Sequence, residues 1–333
     1  MGNPMFLGMA MCALAVTSWG GMFPVMEHAL KIMDPFYFTT IRYGVASLLF
    51  LLILKGVEGS GALAFEGKAF SLWIFGTMGF AGFGFLVFWG QQKIGGHEGV
   101  VVSAVIMATM PLLAALVTWA TAGKRPSMIT LSSLGLAFFG VLLVITHGDL
   151  SLLHSMGSAL LADLLILAGG FCWVLYTWGG SRFSSWSPLR YTALSSALGT
   201  VSIVGLTGIG TLVGKLQTPG VMQIHRVMWD LGYMILVSGI LGVLAWNVGN
   251  RSLGTVNGVL FINLVPVVAL GVSSVLGEPM RSGEILGSLL VIAALVINNL
   301  LQRPMVWSVL SRMFQRNGSR NKEMAGTDDS LID

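Results

Sequence analysis

The sequence predicts an all-α integral membrane protein in which ten transmembrane helices form two inverted five-helix repeats around a central cavity. Three observations predict it. Of 333 residues, 55% are hydrophobic and 10% charged, with a mean hydropathy of +0.82, whereas a soluble domain carries about 25% charged residues. Apolar runs of about 20 residues recur along almost the whole chain, and each such run crosses a bilayer as a helix that satisfies its own backbone. The runs also repeat: Trp19 recurs as Trp173, an offset of 154 (173 − 19).

The spans are predicted, in order, at Pro4 to Met26, Asp34 to Leu54, Ala69 to Trp89, Val100 to Ala120 and Met128 to Thr146, then Gly157 to Trp178, Pro188 to Val213, Trp229 to Asn247, Val256 to Leu276 and Glu284 to Leu301. The first run contains "ALA" at Ala13 to Ala15 but has no basic segment before it and continues past Trp19, so it reads as a retained span and not a cleaved leader. The connections are short, so neighbouring spans run antiparallel. Pro35 recurs as Pro188, and "MPLLAALVTWATAGKRP" from Met110 recurs as "VPVVALGVSSVLGEPM" from Val265. The halves therefore read as 1–147 and 150–303, followed by a basic tail, 304–333. Five spans is an odd number, so the second half enters the membrane from the opposite side, the arrangement that places a binding site at a repeat interface.

Orientation follows from the basic residues. With the N-terminus in the cytoplasm, the inner side carries Lys55, Lys68, Lys124, Arg125, Arg182, Arg190, Arg251 and the tail's arginines. The outer side carries Lys31, Lys93, Lys215, Arg226 and Arg281. Both termini are expected inside, at the plasma (inner) membrane, because the basic tail follows the last span directly. The stretch Met305 to Phe314 reads as a short interfacial helix and the end of the tail as disordered.

Trp19, Gly20, Phe23, Pro35 and Arg42, with Pro111 and Gly135, resemble the EamA-type domain of the drug/metabolite transporter superfamily, and Trp173, Pro188, Pro266, Glu278 and Gly287 repeat the pattern. Where the family has Gly-Glu after the fourth span, the first half reads Gly123-Lys124 and the second keeps Gly277-Glu278. The abundance of Trp, Phe and Met is most similar to the YddG-type exporters of aromatic amino acids. The resemblance implies alternating access around a central site and an amino-acid-like substrate.

The candidate cavity residues are Trp19, Phe23, Met107, Trp173, Tyr176, Trp246, Asn257 and Asn263. Trp19 and Trp173 fall mid-span, away from the interfacial belts where Trp collects. Rings there stack with a ring or attract an amine, and amides offer both donors and acceptors to a zwitterion. The glycines Gly76, Gly79, Gly82 and Gly84 suit closely approaching helices. Pro24, Pro111 and Pro266 are expected to bend their spans, with the first ending at an aqueous boundary at Glu27 and His28. The intramembrane charges are Arg42, either functional or capping a neighbouring helix's carbonyls, and Asp163, a candidate proton site or amine partner.

Cys12 and Cys172 lie in apolar runs and suggest packing, not a disulfide. The histidines lack metal-ligand spacing, there is no phosphate-binding loop, and no catalytic constellation is defensible. The chain is therefore expected to be a non-enzymatic exporter without cofactor, metal or nucleic-acid partner. Its expected partners are the bilayer and a small-molecule, amino-acid-like substrate, and a monomer is the expected, not the required, functional unit. The rival readings are a broad drug or metabolite exporter, a membrane enzyme acting on lipid-like substrates, and an assembly or sensory subunit.

Overall fold

The computed structural model describes residues 4–123, 125, 127–145, 157–253, 258, 261–262, 264–277 and 282–301. Asn257, Asn263, Glu278 and the tail lie outside them. The described residues are helical with no strand. Among the described residues, seven helices are long and apolar enough to cross a membrane: Met5–Leu30, Pro35–Glu58, Ala69–Ile94, Gly96–Thr121, Leu160–Ser181, Pro188–Leu212 and Met228–Leu253. Shorter apolar helices cover Leu131–Val144, Leu264–Val275 and Ser282–Ala294, where the fifth, ninth and tenth spans are expected.

Several spans are built from more than one segment. The first comprises α1 (Pro4–Gly20) and α2 (Met22–Leu30), which meet at Gly21. The next is α3 (Pro35–Glu58), and then α4 (Ala69–Gly76) passes through a π-helical segment, Thr77–Gly82, into α5 (Phe83–Ile94). The fourth span breaks between α6 (Gly96–Met107) and α7 (Met110–Ala122), and α8 (Met128–Ile145) completes the first half.

The second half starts with α9 (Gly157–Ser181) and α10 (Pro188–Leu212), followed by two short helices, α11 (Val221–Arg226) and α12 (Met228–Gly232). From α12 a second π-helical segment, Tyr233–Gly242, leads into α13 (Val243–Leu253). The last helices are α14 (Leu264–Val275) and α15 (Ser282–Leu301). The exposed helix α11 was not anticipated, since the connection between the seventh and eighth spans is polar and short of apolar periodicity.

Local chemistry explains the boundaries. α3 and α10 begin alike: Asp34 accepts from the Phe36 N–H at 2.8 Å, and Ser187 from the Arg190 N–H at 2.9 Å. In each, a proline follows as the first helical residue, where it lacks an N–H the helix does not use. The three prolines expected to bend their spans sit likewise in first turns: Pro24 is the third residue of α2, Pro111 the second of α7 and Pro266 the third of α14. The breaks described here lie just upstream, at Gly21 and at Ala108–Thr109. Helical bonds from Gly21 N–H to the Thr17 carbonyl and from Val25 N–H to the Gly21 carbonyl still run through the first of these points, so Pro24 and Pro111 mark irregular turns inside their spans, where the missing proline N–H leaves one carbonyl without its helical donor.

The packing joins the two halves throughout. α1 packs on α13, and α9, its counterpart 154 residues later, packs on α5. α3 lies along α10, with Tyr37 Oη bonded to Thr211 Oγ1 at 2.7 Å, Thr40 Oγ1 to Thr207 Oγ1 at 2.9 Å, and Ser187 Oγ donating to Glu58 at 2.5 Å. Rising numbers on one helix meet falling numbers on the other, so the two run antiparallel. α8 and α15 also run antiparallel, because a Cβ on Gly140 would meet Val291 and one on Gly287 would meet Val144.

The glycines of the third span are contact points: Gly79 faces the Tyr176 ring and Gly84 faces Thr39, while a Cβ at Gly76 would fall 1.9 Å from the Ser195 carbonyl oxygen. Backbone cannot retreat as a flexible side chain does. Gly76→Ala is therefore expected to destabilise the protein by about 1–3 kcal/mol through overpacking. Gly205→Ala, with nothing within 4 Å, should be neutral or stabilising by up to about 1 kcal/mol. Thermal unfolding of the purified variants in detergent checks this, and equal melting temperatures would refute the close-approach argument.

Candidate functional site

The first half's spans meet the second half's around a narrow cavity of about 30 Å³, room for one or two water molecules. Trp19, Met22 and Phe23 line it from the first span, Arg42 and Tyr43 from α3, Phe83 from α5, and Met107 and Met110 from the fourth span. Trp173, Val243, Ile262 and Val265 close it from the other half.

The two central tryptophans meet edge to face, with ring centroids 5.3 Å apart and planes at 85°, inside the range in which the electropositive ring edge meets the electron-rich face. Glycine makes this possible in both halves. Gly242 closes one π segment, and a Cβ there would lie 2.5 Å from Ser18 Oγ and 2.8 Å from Trp19 Nε1. Gly82 closes the other, and a Cβ there would lie 2.8 Å from the sulfur of Cys172, the residue before Trp173.

The π segments also supply acceptors. A π turn pairs each carbonyl with the N–H five residues on, and side chains of the other spans donate to two of these carbonyls as well. Trp19 Nε1 donates to the Ser238 carbonyl at 3.2 Å, and Arg42 Nε donates to the Met234 carbonyl at 3.1 Å. At the break in the first span, Tyr233 Oη donates to the Ser18 carbonyl at 2.7 Å. Arg42 also donates from Nη2 to Ser238 Oγ at 3.2 Å and lies over the Tyr43 ring, 4.5 Å from its centroid.

Of the residues singled out from sequence, Trp19, Phe23, Met107, Trp173 and Arg42 share the cavity wall. Trp246 and Tyr176 do not line it; both are fully buried behind it. Trp246 packs on Trp19 at 5.2 Å, and Tyr176 packs on Trp173 at 5.0 Å. Asp163 stands apart, buried near the start of α9, with Oδ2 lacking a hydrogen-bond partner. Met22 and Met110 are absent from the sequence reading although each lies three residues beyond a chosen residue, on the same helical side. Phe83, Val243 and Ile262 carry no signal of their own in the sequence.

A larger cavity of about 260 Å³ lies at the junction of α9, α10 and α13, lined by Trp186, Tyr191, Asn247, Asn250 and Arg251 among others. It is on the same face as the chain's N-terminus, since Gly8 packs against Leu253 at the end of α13. Tyr191 stacks on Tyr176 at 5.2 Å, and Asn247 Nδ2 donates to Tyr176 Oη at 3.0 Å and to Thr192 Oγ1 at 2.7 Å. A void of about 40 Å³ shares Thr177 with this vestibule and Trp173, Met110 and Ile262 with the central cavity. Beside the vestibule, the connection after α3 is clamped: Trp186 Nε1 donates to Glu66 at 2.9 Å and Arg190 pairs with it at 2.6 Å. Those two donors hold the Glu66 carboxyl below its ordinary value.

The opposite face is sealed. Gln91 Nε2 donates to the Phe23 carbonyl at 2.8 Å, Gln92 Nε2 to the Leu30 carbonyl at 3.0 Å, and His28 Nδ1 bonds Asp230 at 2.8 Å. Phe36 fills the space between Phe85 and Trp89. His28 itself is 59% exposed. In this conformation these contacts close that face, while the void of about 40 Å³ shares wall residues with both the central cavity and the vestibule.

The EamA-like transporter family model matches residues 6–146 and again 160–300. The chain is 38% identical over 299 residues to the uncharacterized transporter YrdR of Bacillus subtilis (strain 168), covering 90% of this chain and 93% of that one. It is 31% identical to the uncharacterized transporter YyaM of the same organism, covering 82% and 87%. A solved crystal structure aligns with a TM-score of 0.64 at 16% identity over 91% of this chain and 98% of that one, a likeness of fold alone.

Access is testable on a variant lacking both native cysteines. A cysteine at Ser184, in the vestibule, should react with a charged thiol reagent at least ten times faster than one at Met22, in the sealed cavity. It should do so in only one of two preparations, right-side-out or inverted membrane vesicles. Equal rates at the two positions would contradict a cavity sealed on one side.

Proposed function

Since the chain belongs to the EamA-like transporter family and is a membrane transporter, we propose that it is a secondary transporter of small amphipathic metabolites, aromatic or hydrophobic amino acids first. It would carry them outward by alternating access between two inverted five-span repeats. The observation that carries this reading is the ring-walled cavity in which the central Trp of each half meets the other. A planar apolar group entering there exchanges ring–ring contacts for ring–ligand contacts at little cost.

The inverted ten-span arrangement is supported by repeat-equivalent helices running antiparallel, α3 with α10 and α8 with α15. It is supported also by family matches whose starts lie 154 residues apart (160 − 6). Both termini in the cytoplasm of the inner membrane is the orientation the basic residues favour.

Mechanistically, the central cavity of about 30 Å³ is far below the roughly 300 Å³ or more that small-molecule sites occupy. Binding therefore requires the walls to part. The substrate would enter by the vestibule, displace the stacked rings, and leave once the Gln91 and Gln92 bonds on the far face open. Gly21 and Ala108–Thr109 are where segments change direction most cheaply, because Pro24 and Pro111 lack the N–H that would pair with the Gly20 and Met107 carbonyls. Rocking of one repeat against the other then needs no covalent chemistry.

Uptake of labelled L-phenylalanine or L-tryptophan into liposomes holding the purified protein, with and without a pH gradient, tests the reading. Saturable flux above protein-free liposomes is expected, falling about tenfold in Trp19→Ala or Trp173→Ala while both variants elute as folded protein. Flux of bulky hydrophobic cations without flux of either amino acid would favour a broad exporter. Asp163→Asn should leave downhill flux within twofold of the parent, and its complete loss would defeat uncoupled transport.

A further inference from the structure

Arg42 carries a charge that the protein does not neutralise. Its side chain is 1% exposed, deep in α3, and among the described residues no carboxylate pairs with it. Two nitrogens are engaged, Nε with the Met234 carbonyl and Nη2 with Ser238 Oγ. Nη1 is buried and has no hydrogen-bond partner. Removing an ion from water costs several kcal/mol unless a counter-charge and further hydrogen bonds repay it. Carbonyls and rings repay only part, so a guanidinium capping a neighbouring helix leaves one arm and most of its charge unanswered.

That arm belongs to a residue of the cavity wall. Ser238 ties the charge to the rings: its hydroxyl accepts from Arg42 and its carbonyl from Trp19 Nε1. One residue thus holds a cationic fork and an indole on the same cavity wall, as recognition of an acid group and a ring on one small molecule needs. Guanidinium presents paired N–H donors in a plane that matches a carboxylate.

Resting on the transport reading above, we propose that Arg42 is the anchor for the substrate's carboxylate and that the cavity therefore selects aromatic or hydrophobic carboxylates and zwitterions against amphipathic cations. The same rings that attract an amine in isolation sit here beside a fixed positive charge. An ammonium without a carboxylate is repelled, and a neutral ring leaves Nη1 unpaired.

The test uses 3-phenylpropanoate, a ring with only the acid, and 2-phenylethylamine, the same ring with only the amine. Binding to the purified full-length protein is read by thermal shift, and competition by inhibition of labelled L-phenylalanine uptake into liposomes. The parent protein is expected to bind 3-phenylpropanoate at least tenfold more tightly than 2-phenylethylamine. Arg42→Gln should lose that preference, and Arg42→Lys, which keeps the charge and loses the fork, should keep part of it.

Equal or tighter binding of the amine by the parent protein overturns the proposal, and this comparison decides even when Arg42→Gln does not fold. So does a folded Arg42→Gln variant with unchanged affinity for 3-phenylpropanoate. Carboxylate-selective, Arg42-dependent binding without any flux upholds the anchor and removes the transport reading. Phenylalanine flux with an unchanged KM in Arg42→Gln removes the anchor and leaves transport standing.

Discussion

Two glycines, Gly82 and Gly242, set the distance at which the halves of this protein meet. Lipid offers apolar side chains as good an environment as protein does, so helices associate in a membrane through close van der Waals contact. At these positions contact means backbone against the turn that carries a central Trp, with no space for even a methyl group. A side chain at either site would push that turn away and open the 5.3 Å ring contact on which the cavity wall depends. The same positions terminate the π-helical segments, so the widened helix and the close approach occur together in both halves.

The π segments shift helical pairing to the N–H five residues on, and their wide turns leave carbonyls within reach of side chains from neighbouring spans. Met234 and Ser238 find donors in Arg42 and Trp19, and Arg42 in turn finds acceptors for two of its nitrogens. Irregular backbone, buried cation and indole are thus mutually satisfying parts of one arrangement between α3, the first span and the eighth. Substituting any one of them leaves the others with unpaired polar groups. This is why the charge tolerates its depth, and why its one idle nitrogen stands out.

Much of the fold is legible in the sequence because its rules are strong ones. Helix positions follow from apolar length, and the starts of α3 and α10 are written in Asp34-Pro35 and Ser187-Pro188. The 154-residue offset found from Trp19 and Trp173 also separates the starts of the two family matches. What sequence cannot supply is which side of a helix faces inward when every side is apolar. Trp246 and Tyr176 were grouped with the cavity by residue type, yet both stand behind its wall. Met22, Phe83 and Val243 are on the wall and look like any other membrane residue. The π segments have no compositional mark beyond glycine. The prolines mark where spans become irregular, but the residues at which the turns change, Gly21 and Ala108–Thr109, carry no mark of their own.

The two faces of the protein are unequal: side-chain amides and packed rings close one, and a polar hollow of about 260 Å³ opens on the other. This inequality has a definite kinetic meaning for a carrier that couples to nothing else. Resting longer on one side gives different half-saturation concentrations to substrate arriving from left and right. A closed thermodynamic cycle nonetheless forces the ratio of maximal rate to half-saturation to match in both directions. An asymmetric doorway thus tunes sensitivity without acting as a valve, and the heading of net flow is dictated by whichever compartment holds more solute.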